Sequence, residues 1–327
     1  MIAENIEGRN MLLAENKYTF KSPVDKLEIS VLRIEPDDKS VIKGVVQMVH
    51  GMCEHKERYI DFMRYLANEG YLCVIHDHRG HGESIKDFND RGFMYEGGYK
   101  ALVEDTHEVT KLTKAYISGN KELSSKQLPY ILLGHSMGSL VVRCYLKKFE
   151  SDIDKLIVMG CPSKLPGMKP GLALINVLMS VKGSHAHSKL VDYIVSGSNF
   201  EKRFKSENLS HAWLNTDKEE VAKYMADPFC NFTFTLNGYD NLVRLTMDTY
   251  SADGYSIKNS ALPIRFFSGG DDPCGISKAD IEKAADVIRK AGYTDVKVKT
   301  YDGLRHEILL EPEKQTVYKD ILEFINE

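Results

Sequence analysis

The chain has 327 residues, 43% of them hydrophobic and 28% charged, with a formal net charge of -4. That content supports a sizeable buried core. The mild acidity, with Lys and Arg scattered and only the short run Lys202, Arg203, Lys205, speaks against a nucleic-acid partner, which needs a basic patch.

No stretch approaches the roughly 18 apolar residues of a membrane span. Met1 to Asn10 is acidic and has no apolar run of the secretory kind. The six cysteines form no CxxC pair and are expected as free thiols. These features predict a cytoplasmic protein without a transmembrane segment, with transient contact at a membrane surface left open.

In chain order, Leu27 to Ile34 reads as a strand that stops at Pro36 and Asp37. Gly44 to Val49 is a charge-free, Val-rich run suited to a strand buried on both faces. Arg58 to Asn68 has helical spacing, with Tyr59, Phe62, Met63 and Leu66 on one side and Gly70 closing it. Tyr71 to Ile75 is the next strand, and Ala101 to Ile117 the next helix. Pro129 to Leu133 reads as a buried strand, Leu140 to Phe149 as a helix and Leu156 to Met159 as a short strand.

The alternation returns late, with strands at Ile264 to Phe267 and Val296 to Tyr301 and helices at Ala279 to Lys290 and Gln315 to Asn326. Strands alternating with helices imply βαβ units and a mostly parallel sheet. Between them, residues 162–260 break the rhythm. This segment holds the apolar helical run Gly171 to Val181, the single Trp213 and the aromatics Phe229, Phe232, Phe234 and Tyr239. It predicts a helical insertion over the sheet, either a cap or added packing layers. The expected division is a core of 1–161 and 261–327 with an insertion of 162–260.

The sharpest motif is Gly134-His135-Ser136-Met137-Gly138, placed between a buried strand and a helix. GxSxG in that setting is the nucleophile elbow of α/β hydrolases. The sharp turn strains the serine and exposes its hydroxyl, and the helix N-terminus favours negative charge there. Ser136 is the expected nucleophile.

A serine hydroxyl needs a base, and this fold supplies an acid and then a histidine later in the chain. Asp271 and Asp272 end the strand Ile264 to Phe267, and Asp272 is preferred. Of the histidines, only His306 follows them, in the loop before the last helix. The amides of Met52, after the strand Gly44 to Val49, and of Met137 are expected to hold the oxyanion.

Together these segments resemble the monoacylglycerol lipase and lysophospholipase branch of α/β hydrolases, the serine aminopeptidase S33-like group. The residues that carry the resemblance are His50-Gly51-Met52-Cys53-Glu54-His55 with Arg58-Tyr59, and Asp77 through Ser84. To these add the Ser136 elbow, Asp272-Pro273 and Arg305-His306-Glu307. Trp213-Leu214 with Asp217, and Asp227-Pro228-Phe229-Cys230, extend it through the insertion.

The resemblance implies the α/β-hydrolase fold and a helical cap over an acyl tunnel. Leu172, Leu174, Ile175, Leu178 and Met179 are candidates to line that tunnel, and Cys274 to sit near the site. It implies hydrolysis of monoacylglycerols, lysophospholipids or similar single-acyl esters, with no cofactor. The alternatives are an aminopeptidase or amidase with the same triad, or a non-enzymatic binding protein on a relic fold. His76-Asp77-His78 and His185-Ala186-His187 lack a matching partner cluster, and neither HExxH nor a Walker A loop occurs. No metal is expected.

Overall fold

The computed structural model describes residues 11–164 and 166–327; the N-terminal segment 1–10, read above for its lack of an apolar run, lies outside the described residues. The strands are β1 (Leu13–Lys21), β2 (Glu28–Pro36), β3 (Gly44–Val49), β4 (Tyr71–His76), β5 (Tyr130–His135), β6 (Lys155–Met159), β7 (Ile264–Gly269) and β8 (Val296–Tyr301). They form one sheet in the order β1-β2-β4-β3-β5-β6-β7-β8. The pairs from β4 and β3 through to β8 are parallel, while β2 is antiparallel to both β1 and β4.

The unbroken apolar runs have the cause expected of them. Every residue of β3, β4, β5 and β7 is buried, because helices cover both faces of the sheet. Side chains alternate between two cores. Val45 and Val49 of β3 and Leu132 of β5 join the core of α2 (Gly98–Gly119), α3 (Met137–Phe149), α8 (Leu236–Thr249) and α9 (Lys278–Ala291). Val46, Met48, Ile131 and Leu133 join that of α1 (Ile60–Asn68) and α10 (Lys314–Asn326). The one polar side chain in β3, Gln47, is paired: its amide donates to the Thr106 carbonyl at 2.8 Å, and its oxygen accepts from Thr110 and Tyr130.

β1 has no counterpart in the sequence reading. It is an edge strand with no fully buried residue, so its sequence LAENKYTFK lacks the apolar run that marks the others, and only its ladder to β2 defines it.

Between β6 and β7 lie α4 (Met168–Lys182), α5 (Lys189–Asp192), α6 (Ser198–Arg203), α7 (Lys218–Ala226) and α8, with no strand among the described residues. α8 belongs to the core layer: the Thr249 hydroxyl reaches the Leu140 carbonyl of α3 at 3.2 Å, and Leu245 is fully buried. α4 is largely exposed, with Val177 and Val181 at the surface and only Ile175 buried. No helix is long and apolar enough to cross a membrane among the described residues.

Candidate active site

Because β3, β5, β7 and β8 run parallel, their C-terminal ends open on one edge of the sheet. The loops that leave them carry the residues singled out from the sequence. β5 ends at His135, and α3 begins at Met137. Ser136 stands between them with φ 52° and ψ -118°, a strained conformation held in place by its surroundings. The Ser136 N–H donates to the Met159 carbonyl of β6 at 2.9 Å. The flanking glycines are dictated by close approach: a Cβ at Gly138 would lie 2.0 Å from the Val49 oxygen, and one at Gly134 would lie 2.4 Å from the Gly138 oxygen.

After β7, Asp272 turns inward and Asp271 outward. The Asp272 carboxylate is 3% exposed; its Oδ2 accepts from His306 Nδ1 at 2.9 Å and its Oδ1 from the Cys274 N–H at 2.8 Å. Asp271 instead forms an exposed ion pair with Arg203. His306 is buried beside the elbow. Its ring centroid is 4.7 Å from that of His135, and its carbonyl lies 3.1 Å from His135 Nε2. Trp213 of the insertion lies over the imidazole at 5.1 Å.

The turn after β3 packs on Ser136, since a Cβ at Gly51 would stand 3.0 Å from Ser136 Cβ. Met52 and Met137 both line the cavity that holds Ser136. That cavity has a volume of about 380 Å³. Its apolar wall comes partly from α4, through Met168, Leu174 and Ile175, and Cys274 also faces it. Leu172, Leu178 and Met179 do not line it; they pack against the core. With 3.6 residues per turn, one face of α4 carries 168, 171, 174 and 175; Leu172 and Met179 fall to one side of it, and Leu178, on that face one turn further along, lies past the cavity lining.

A charged network that the sequence reading left without a role lies behind these groups. Glu54 accepts from the Gly51 N–H at 2.5 Å, the Tyr59 hydroxyl at 2.9 Å, His135 Nδ1 at 3.2 Å and Arg58 at 2.9 Å. Arg58 also makes a two-pronged pair with Glu307 at 2.5 and 2.9 Å. Burial pushes the Glu54 carboxyl up, but His135 and Arg58 outweigh it and hold the carboxyl well below the usual range. Burial likewise opposes charge on His135, and Glu54 overcomes it, so the His135 pKa is raised. Both His135 nitrogens face oxygen acceptors, as an imidazolium requires. The available signal was the adjacency of these residues to the motifs: Glu54 and Arg58 follow the Gly51 turn, and Glu307 follows His306.

Of the paired histidines, His76 and His78 join His50 and His81 in a fully buried ring cluster beneath the Gly51 turn. Burial pushes His76 down to about 3 and His81 to about 4, which makes them neutral packing groups. His185 stacks on Phe93, and His187 bonds the Phe234 carbonyl. His55, Asp227 and Cys230 bring three potential metal-ligand atoms within 4.8 Å of one another. Both His55 nitrogens are engaged by carboxylates, Nδ1 by Glu57 at 2.7 Å and Nε2 by Asp227 at 2.8 Å, so the group acts as an ionic bridge between core and insertion.

Comparison with known proteins places this geometry. A family model described as Serine aminopeptidase, S33, matches residues 40–313. The chain is 26% identical to the monoacylglycerol lipase of Mycolicibacterium smegmatis over 286 residues, 86% of this chain and 88% of that protein. It is 24% identical to the monoglyceride lipase of Saccharomyces cerevisiae, across 87% of this chain and 85% of that protein. Among solved structures, a thermostable carboxyl esterase from Bacillus coagulans, in complex with glycerol, superposes with a TM-score of 0.84 at 26% identity, covering 96% of this chain and 98% of that one. A soluble variant of the yeast monoglyceride lipase shares the fold at a TM-score of 0.69 and 18% identity, covering 99% and 98% of the two chains. With the family match spanning most of its length and the α/β-hydrolase sheet in place, the chain belongs to the serine aminopeptidase S33 family.

Proposed function

We propose that the protein is a serine hydrolase cleaving carboxylic esters that carry one acyl chain, monoacylglycerols or lysophospholipids, through an acyl-enzyme on Ser136. The observation that carries this reading is the buried His306–Asp272 hydrogen bond at 2.9 Å, beside a strained serine that faces a largely apolar cavity. The monoacylglycerol lipase and carboxyl esterase names of the relatives support the ester class.

In this mechanism Asp272 holds His306 Nδ1 protonated, which leaves Nε2 to take the Ser136 proton as Oγ attacks the ester carbonyl. The oxyanion that forms is met by the Met52 and Met137 amides, and the positive end of α3 adds to them. His306 then returns the proton to the departing alcohol. Water, deprotonated by the same imidazole, releases the fatty acid. The insertion 162–260 supplies the cap through α4 to α7, while its α8 joins the core layer of 1–161 and 261–327, and the apolar face of α4 receives the acyl chain. All six cysteines are free and buried, which suits a reducing cytoplasm.

A second reading, an aminopeptidase, rests on Asp192 and Glu201, two insertion carboxylates that line the cavity, the first held by the Tyr239 hydroxyl and the second by the His211 N–H. One assay separates the two: p-nitrophenyl esters of rising chain length beside an aminoacyl anilide. Burying each methylene is worth about 0.8 kcal/mol, so kcat/KM should climb roughly fourfold per methylene until the cavity fills. A flat series, or faster anilide cleavage, overturns the lipid reading. Silence on every substrate, with no fluorophosphonate label, supports the binding protein.

A further inference from the structure

The loop that carries His306 is short of its own support. It leaves β8 at Tyr301, passes the exposed Asp302 and Gly303, and forms no helix until Lys314. Beyond its own turns, where the Leu304 N–H donates to the Tyr301 carbonyl and the Leu310 N–H to the Glu307 carbonyl, it is held by its surroundings, the insertion among them. The connection between α6 and α7, residues 204–216, grips the residues on both sides of His306. Arg305 donates to the Ala212 carbonyl at 2.5 Å and the Asn215 carbonyl at 3.2 Å. The same guanidinium pairs with the Glu207 carboxylate and stacks on Phe204 at 4.1 Å. On the other side, the Glu307 N–H donates to the Leu214 carbonyl at 2.9 Å.

A third tie closes the loop. Glu311, fully buried, accepts from the Arg305 N–H at 2.7 Å and from the Thr216 N–H at 3.0 Å. Ala212, Leu214 and Asn215 are buried as well. These bonds are partly shielded from water, which strengthens them.

We infer that Arg305 is a positioning residue: it clasps the α6–α7 connection of the insertion to the His306 loop, so that the insertion, as well as the core, holds the catalytic base in register. This rests on the reading of His306 as the base of Ser136. A guanidinium suits the task, because its fork meets two carbonyls, a carboxylate and a ring at once, and lysine cannot do so. The clasp thereby fixes residues 204–216 of the insertion to the core loop.

The test compares wild type, Arg305→Ala, Arg305→Lys, Glu207→Gln and Ser136→Ala, using p-nitrophenyl ester turnover and the rate and extent of labelling by an alkyl fluorophosphonate. A base displaced by about 1 Å costs on the order of 100-fold. Arg305→Ala should therefore lower kcat and the labelling rate constant together by roughly 10- to 100-fold. KM should stay within about threefold, and the labelled fraction should remain complete. Added guanidinium should restore part of the rate. Arg305→Lys should fall between, and Glu207→Gln, which keeps both carbonyl contacts, should be mildest.

An unchanged labelling rate in Arg305→Ala overturns the clasp, as does a fall confined to the labelled fraction, which marks a folding role alone. Should Arg305→Ala not accumulate, Arg305→Lys and Glu207→Gln decide, and wild-type rates in both overturn the inference. Labelling of Ser136→Ala at the wild-type rate removes the nucleophile, and the clasp with it. An unlabelled Ser136→Ala beside a fully active Arg305→Ala removes the clasp alone.

Discussion

Replacing Asp272 by asparagine should disable the base through its tautomer, and the geometry fixes which way the new side chain points. Asp272 Oδ1 faces the Cys274 N–H at 2.8 Å and Oδ2 faces His306 Nδ1 at 2.9 Å. The backbone N–H can only donate, so the amide oxygen of the substitute must face it. The opposite flip sets two donors against each other in a buried site, at about 1–3 kcal/mol. The NH2 therefore points at Nδ1 and requires that nitrogen to accept. The imidazole proton moves to Nε2, the nitrogen that must receive the serine proton, and the carboxylate that would stabilise the imidazolium is gone. The same change in a serine protease triad costs about 10⁴ in kcat, or about 5.4 kcal/mol of barrier. Asp271→Asn disturbs only an exposed ion pair with Arg203, worth about 0–1 kcal/mol, and should stay within about twofold of wild type. Burst and steady-state kinetics on a p-nitrophenyl ester measure both. Near-native turnover in Asp272→Asn, or collapse in Asp271→Asn, refutes the assignment of the acid.

Ser136→Ala should lose on the order of 10⁵ to 10⁶ in kcat while keeping its circular dichroism; a residual rate above about 1% of wild type removes Ser136 as nucleophile. Cys274 lies in the cavity wall with its thiol pushed well above the usual range by burial and by Asp272. Inactivation by a small maleimide should therefore keep accelerating between about pH 7 and pH 10 and disappear in Cys274→Ser; equal inactivation of that variant refutes the assignment. His55 supplies a pH signature of stability. Burial opposes its charge, but Cys230, Glu57 and Asp227 outweigh burial and push its pKa up to about 11. A pKa raised in the folded state stabilises fully below the unfolded value of about 6.5, and that contribution fades as pH climbs toward the folded one. Urea midpoints of wild type should fall across that window, more steeply than those of His55→Gln, and parallel slopes would refute the bridge.

Much of the architecture was legible because its signals are local. A strand buried on both faces must be apolar throughout, and β3, β4 and β5 announce themselves in that way. The elbow is legible for the same reason: contacts with Val49 and within the turn forbid a Cβ at positions 134 and 138, so glycine is written into the chain. Asp272 and His306 were reachable by position, since residues just past parallel strands meet at one edge. β1 was not legible, because an exposed edge strand needs no apolar run. Nor was the choice of Leu174 over Leu172 at the cavity, because both are apolar and only the roll of α4 against the core separates them.

By itself the sequence determined the order of the strands after β1 and of the helices that flank them, the strained serine turn and the acid and histidine candidates, all properties of short segments. Tertiary structure alone decided how those candidates are held. Glu54 meets His135 across 81 positions and Arg58 meets Glu307 across 249, while Arg305 finds its carbonyls in an insertion 90 and 93 positions away. No local preference encodes such pairs. A carboxylate or a guanidinium reads the same in solvent as in a buried network, and only the packing that removes water from around it tells the two apart.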